Sequence, residues 1–131
     1  MMSHINACKE SVEKCQMCAK VCQDCCDGSV KNHDCVKSCK DCIEACRKCI
    51  DECKKYLQNC TDPEYAKTLQ ECIKKCEECI KACESCANAC SESNDNYEEM
   101  CKECIDACNK CIDACNECIK KSSELDSSCS K

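Results

Sequence analysis

The sequence predicts an all-α protein: an antiparallel up-down-up-down four-helix bundle with a Cys-lined core, occupying residues 1–131 as a single domain. Three observations predict it. Cysteines recur three and four residues apart, as in CKDCIEACRKCIDEC (39–53), which is the spacing of one helical face. With Cys46 at a and Cys49 at d, 25 of the 26 cysteines fall on a or d, each segment in its own register, and only Cys26 falls at e. The breaks between segments are short and polar, so neighbouring helices are antiparallel.

The first helix, about 4–26, carries Cys8, Cys15, Cys18, Cys22 and Cys25 on its stripe, with Cys26 beside it. It ends in CDGSVKNHD, which holds the only glycine, Gly28. The second, about 33–60, carries Cys35, Cys39, Cys42, Cys46, Cys49, Cys53 and Cys60. The only proline follows, and the third helix, about 63–91, starts either from a Thr61/Glu64 capping box or from an Asp62 cap with Pro63 in the first turn. Its cysteines are Cys72, Cys76, Cys79, Cys83, Cys86 and Cys90. The fourth, about 95–125, follows the polar turn CSESNDNYEE and carries Cys101, Cys104, Cys108, Cys111, Cys115 and Cys118, with Cys129 beyond it. At 1.5 Å per residue these helices are roughly 30–45 Å long. An Ile follows the d cysteine at 43, 50, 73, 80, 105, 112 and 119, and an Ala precedes the a cysteine at 45, 82, 89, 107 and 114. The stripe is wide enough for a bundle rather than a two-stranded coil. CKDCIEAC, CEECIKAC, CKECIDAC and CNKCIDAC read as an internal repeat, which implies a repeated ligand geometry.

By composition, either the chain is disordered or the cysteines are the core. The apolar content of 44% counts 26 Cys; without them it falls to roughly a quarter, too little for an ordinary interior. There is no Phe or Trp and only three Tyr. Charged residues make up 34%, with the signs interspersed and a net charge of −6, as on a solvated helical surface. No basic block or aromatic platform points to nucleic acid, and no apolar run approaches a membrane span. MMSHINACKESVEKC has no apolar h-region and no twin arginine, so a cytoplasmic location is expected. Cysteine wealth there points to metal or redox chemistry rather than a disulfide framework.

A lone buried Cys packs as a small hydrophobe, but a whole core of them lacks the volume of Leu and Ile. Disulfides suit i,i+3 and i,i+4 pairs poorly. Thiolate is a soft ligand for Cu(I), Zn or iron–sulfur clusters. The loop motifs of iron–sulfur proteins are missing. Structural zinc takes four thiolates and leaves a local charge of −2, expensive when repeated down a dry core. Cu(I) takes two or three sulfurs and replaces one thiol proton per ion. The i,i+4 pairs such as Cys42/Cys46 and Cys79/Cys83 can each clamp one ion, and i,i+3 neighbours link to the next. The expected cofactor is therefore Cu(I), multiple ions, approaching one per thiol and on the order of two dozen. A Zn/Cd-sequestering, metallothionein-like protein is the alternative, with one metal per two to four thiols. An electron-transfer cluster protein and a thiol redox protein are further classes. No Ser-His-Asp set, phosphate loop or paired-carboxylate cleft is visible, and the chain is not expected to be an enzyme.

On these repeats the chain resembles the bacterial copper storage proteins, over about residues 8–129. The resemblance implies a four-helix bundle filled with Cu(I), a cytosolic location for members without an export signal, and a homotetramer. Delivery would then involve a copper chaperone or an apo-cuproenzyme. Antiparallel threading gathers Ser11, Val12, Tyr56, Leu57, Tyr65, Leu69, Ser122 and Leu125 at one end, read as a plug. The other end gathers Cys25, Cys26, His33, Cys35, Cys90, Tyr97, Met100 and Cys101, read as the mouth. His33 and Met100 are candidate entry ligands there, His4 is expected on the surface at the plugged end, and Met17 is assigned no metal role. Cys8, Cys60 and Cys129 are the most isolated of the candidate ligands.

Overall fold

The computed structural model describes residues 3–29, 31–92 and 97–129, without the side chains of 32 and 126–129. Four helices account for nearly all of them: α1 (Ser3–Cys26), α2 (Asn32–Gln58), α3 (Pro63–Ser91) and α4 (Tyr97–Cys129). There is no strand among the described residues. The helices have 24, 27, 29 and 33 residues, about 36–50 Å at 1.5 Å per residue.

The ends follow from local chemistry. Gly28 has φ +81°, the left-handed conformation that closes α1. Ser29 N–H donates to the Asp24 carbonyl at 2.8 Å and Gly28 N–H to the Cys25 carbonyl at 3.1 Å, the paired bonds of a Schellman ending. Between the two expected starts for α3, the chain uses Asp62. Its carboxylate accepts from Tyr65 N–H at 2.9 Å, with Pro63 in the first turn. Two boundaries differ from expectation. α2 stops at Gln58, so Cys60 lies beyond its end. α4 runs to Cys129 instead of about 125, because SSELDSSC contains no Gly or Pro to stop it. The expected α4 start at 95 lies outside the described residues.

The helices form a closed square. α1 packs on α2 and α4, and α3 packs on α2 and α4. Among the described residues, no Cα of α1 lies within 8 Å of α3, and none of α2 within 8 Å of α4. Side-chain contacts run in reverse order along neighbours. Cys8, Cys15, Cys18 and Cys22 of α1 meet Cys49, Cys42, Cys39 and Cys35 of α2. Cys72, Cys76, Cys79, Cys83 and Cys86 of α3 meet Cys115, Cys111, Cys108, Cys104 and Cys101 of α4.

The interior follows the a/d stripe. Twenty-three of the 25 cysteines whose side chains are described are buried, twenty-one of them at 0% exposure and Cys25 and Cys90 at 2%. Ile43, Ile50 and Ile73 seal the seams between helices. The only buried polar residues described are His4, Ser11 and Ser38. The outer faces carry ion pairs within one helix, such as Lys110–Asp106 at 3.1 Å, and one between helices, Arg47–Glu84 at 3.4 Å. Exposed pairs of this kind contribute little to stability.

Two expectations about single residues need correction. His4 is not a surface residue: it is 3% exposed, its Nε2 lies 2.7 Å from the Tyr65 hydroxyl, and its ring stacks on Tyr56 at 4.1 Å. The reason is register, since His4 stands four residues before Cys8 and so falls on the inward stripe. Ser11 is not part of a plug of ordinary side chains: it is 0% exposed and lies among sulfurs. Tyr65 and Leu69 do close this end, at 2% and 0% exposure.

Candidate metal centre

The thiols stack in levels, several of which draw a sulfur from each of the four helices. Cys18, Cys39, Cys83 and Cys104 form one such level, with Sγ–Sγ distances of 3.8 Å (Cys18–Cys39), 4.0 Å (Cys18–Cys83), 3.7 Å (Cys18–Cys104) and 3.5 Å (Cys83–Cys104). Cys22, Cys35, Cys86 and Cys101 form the next, at 3.4–3.8 Å. Sulfurs of diagonal helices meet across the centre, for example Cys15–Cys79 at 3.9 Å and Cys46–Cys111 at 4.0 Å. The backbones keep their distance, and sulfur fills the space between them.

These distances fit thiolate-bound metal. A metal–sulfur bond of about 2.3 Å gives a tetrahedral S···S edge of about 3.8 Å and a trigonal edge of about 4.0 Å. The nearest contacts reach both values, and every pair within the sets below lies within 4.8 Å. Several sets of four sulfurs lie mutually within 4.8 Å: Cys8/Cys49/Cys53/Cys72, Cys15/Cys42/Cys79/Cys108, Cys15/Cys46/Cys79/Cys111, Cys18/Cys39/Cys83/Cys104 and Cys18/Cys42/Cys83/Cys108. The sets overlap. Cys15, Cys18, Cys42, Cys79, Cys83 and Cys108 each belong to two of them, so a sulfur at these positions is placed to serve two ions. These buried clusters are candidate metal sites.

Acidity along the column is set first by thiol neighbours and then by burial. Cys18 is lowered by its contacts with the Cys104, Cys108, Cys22 and Cys39 sulfurs, in that order, against burial, which raises it. Cys83 is raised by its bonds with Cys104, Cys108, Cys18 and Cys39, and then by burial. At the α1 C-terminal end burial leads: Cys25 is pushed up to about 12, with the Cys35 and Cys101 sulfurs adding to it. Cys26 is pushed up to about 11 by burial, Cys101 and Glu98. The described cysteines are thiols, not disulfides. A cation entering the column therefore displaces protons.

Most of the expected ligands come together. Cys8, expected to be isolated, lies 3.6 Å from Cys49 and 3.9 Å from Cys53. Cys26 is half-buried at the edge, its S–H directed to the Glu98 carbonyl at 3.7 Å. Cys60 stays outside the clusters, its S–H donating to the Asp62 carbonyl at 3.5 Å. The side chain of Cys129 lies outside the described residues. The His33 side chain is 80% exposed and 3.6 Å from Asp34. Met100 is half-buried and lines an outer groove with Glu78, Lys81 and Glu103. The sulfur contacts above include neither. Met17 is exposed, as expected.

Sequence reasoning passed over Ser11 as a member of the sulfur column. The signal was present: Ser11 takes the d position between the a cysteines Cys8 and Cys15. It also passed over the link from His4 through the Tyr65 hydroxyl to Cys118 Sγ, at 2.7 and 3.4 Å. None of the described helices is long and apolar enough to cross a membrane. The chain matches no protein-family model, no curated protein and no solved structure.

Proposed function

We propose that this chain is an antiparallel up-down-up-down bundle whose Cys-lined core stores Cu(I) in the cytoplasm, many ions per chain, with no catalytic turnover. One observation carries the proposal: buried sulfurs with nearest contacts of 3.4–4.0 Å, and four-sulfur sets, mutually within 4.8 Å, that share members. A shared sulfur suits a monovalent ion. Each Cu⁺ that displaces one proton leaves the column neutral, so filling one level does not oppose filling the next. A divalent ion in every four-thiolate set would leave −2 at each, with no buried Lys or Arg among the described residues to offset it. Soft sulfur and low coordination number favour Cu(I) over harder ions.

Ions enter at the end that gathers Cys25, Cys26, Cys90 and Cys101. Cys26 is the inward ligand at its edge, and His33 and Met100 are outer contacts. The resemblance to the bacterial copper storage proteins supports the same reading. It adds a homotetramer and transfer to or from a copper chaperone or apo-cuproenzyme.

The test is an anaerobic titration of the reduced protein with Cu(I) against a competing chromophoric chelator. Tight uptake continuing to about one ion per Cys is expected. Saturation below about a quarter of that, or tighter Zn²⁺ binding in a parallel run, overturns copper storage in favour of zinc or cadmium sequestration.

A further inference from the structure

Ser11 interrupts the sulfur column at one level. Its side chain is fully buried, with Oγ 3.6 Å from Cys46 Sγ, 3.8 Å from Cys111 Sγ, 3.8 Å from Cys115 Sγ and 4.0 Å from Cys15 Sγ. Cys76 Sγ completes the level at 3.6 Å from Cys111, which is itself 4.0 Å from Cys46. One donor thus comes from each helix: a hydroxyl from α1 and sulfurs from α2, α3 and α4.

With metal–sulfur bonds of about 2.3 Å and a metal–oxygen bond of about 2.1 Å, a tetrahedral ion needs an O···S edge of about 3.6 Å and an S···S edge of about 3.8 Å. Ser11–Cys46 at 3.6 Å matches the O···S edge and Ser11–Cys111 at 3.8 Å is slightly longer, while Cys76–Cys111 at 3.6 Å and Cys46–Cys111 at 4.0 Å straddle the S···S edge. The charge differs from that of every four-thiolate set. Three thiolates and a neutral hydroxyl around a divalent ion carry −1, where four thiolates carry −2. The backbone N–H groups of this stretch serve the helices, and no buried Lys or Arg is present among the described residues to spread negative charge. The lower charge is therefore decisive in this dry interior.

We propose that Ser11, Cys46, Cys76 and Cys111 form a site for one divalent thiophilic ion of the Zn²⁺ or Cd²⁺ class, inside a column otherwise suited to a monovalent ion. On binding, the three thiols release three protons to solvent. Ser11 keeps its proton and offers an oxygen lone pair. The inference rests on the reading that the core sulfurs are metal ligands, and not on which ion fills the other levels.

The test uses the full-length reduced protein under anaerobic conditions, loaded with one equivalent of ¹¹³Cd²⁺ and read by cadmium NMR. The expected result is a single resonance displaced from the four-thiolate region in the direction of oxygen ligation. Ser11→Cys should move it into the four-thiolate region. Ser11→Ala should abolish it and weaken the first Zn²⁺, in competition with a zinc chelator, by at least about tenfold. Circular dichroism reports whether each variant folds; if Ser11→Ala does not, Ser11→Cys, close in size, carries the test. A wild-type resonance already in the four-thiolate region, no cadmium binding, or a resonance that neither variant changes would overturn the site. Copper uptake by the same samples separates the two readings. An oxygen-shifted resonance without Cu(I) uptake keeps the site and removes the store, whereas full Cu(I) uptake with four-thiolate cadmium does the reverse.

Discussion

At one end of the bundle the interior stripe passes from sulfur to rings: Tyr56 and Tyr65 meet edge-on at 5.7 Å, His4 stacks on Tyr56, and Leu69 is fully buried beneath them. At the other end it stays sulfur to its limit, with Cys25 and Cys90 each 2% exposed and Cys26 half-buried. The same heptad stripe is thus filled in two ways. Large rings joined by a hydrogen bond give shape and close the column. Small polarizable thiols leave the other end able to exchange a proton for a soft ion. Ring packing sits at one end of the helical pattern, and the sulfur edge proposed above as the entry sits at the other.

The largest expected effect breaks the closed end. Tyr65→Ala removes the ring that joins His4 to Cys118 and leaves a cavity. It should destabilise the metal-free protein by about 3–5 kcal/mol, read by urea denaturation. Equal effects from Tyr65→Ala and from substitutions at the sulfur end would erase the contrast.

A second effect falls on the thiols themselves. Cys25 and Cys26 have raised folded-state pKa values, about 12 and about 11 against 9.0. Below pH 9 both folded and unfolded chains hold these protons, and stability is independent of them. As pH rises from 9 towards 12 the unfolded chain ionises first, so the metal-free protein should lose stability across that window. Burial raises the Tyr65 phenol from 10.0 as well, adding a loss that begins about one pH unit higher. Thermal melts of the metal-free protein at stepped pH check this; a flat profile from pH 9 to 12 would contradict it.

A smaller effect sharpens the closed end. Asp62→Ala removes the cap of α3 beneath Tyr65 and should cost about 1 kcal/mol by the same denaturation assay. The smallest sharpens the open end. Cys26→Ser should change stability by less than about 0.5 kcal/mol. In the metal-free wild type, Cys26 and Cys60 should be alkylated before the other described thiols, as followed by mass spectrometry of digests. Labelling of Cys15 or Cys79 ahead of them would mean that the column opens as a whole.

Most of this was legible because a period is written in every turn. The a/d register of 25 cysteines specified four helices and their inward faces, and Gly28 and Pro63 marked where two of the connections lie. The misses share a cause. Attention to cysteine hid the stripe positions held by other residues, so Ser11 and His4 were read by residue type and not by register. The helix ends depended on weaker terms. Asp62 and Thr61 offered rival caps that only the Tyr65 N–H geometry decides, and the polar tail of α4 carries no breaker to shorten it. The ion was the least legible part, because sulfurs 3.4–4.0 Å apart suit tetrahedral and trigonal metals alike. Charge balance, not spacing, favours the monovalent ion.

The most direct test of the central claim is X-ray absorption at the copper edge on protein fully loaded with Cu(I). Shared sulfurs predict a first shell of sulfur alone, two to three per ion, together with a resolved copper–copper scattering path from ions bridged by one thiolate. A first shell containing nitrogen or oxygen, or copper ions with no copper neighbour at full loading, would contradict it.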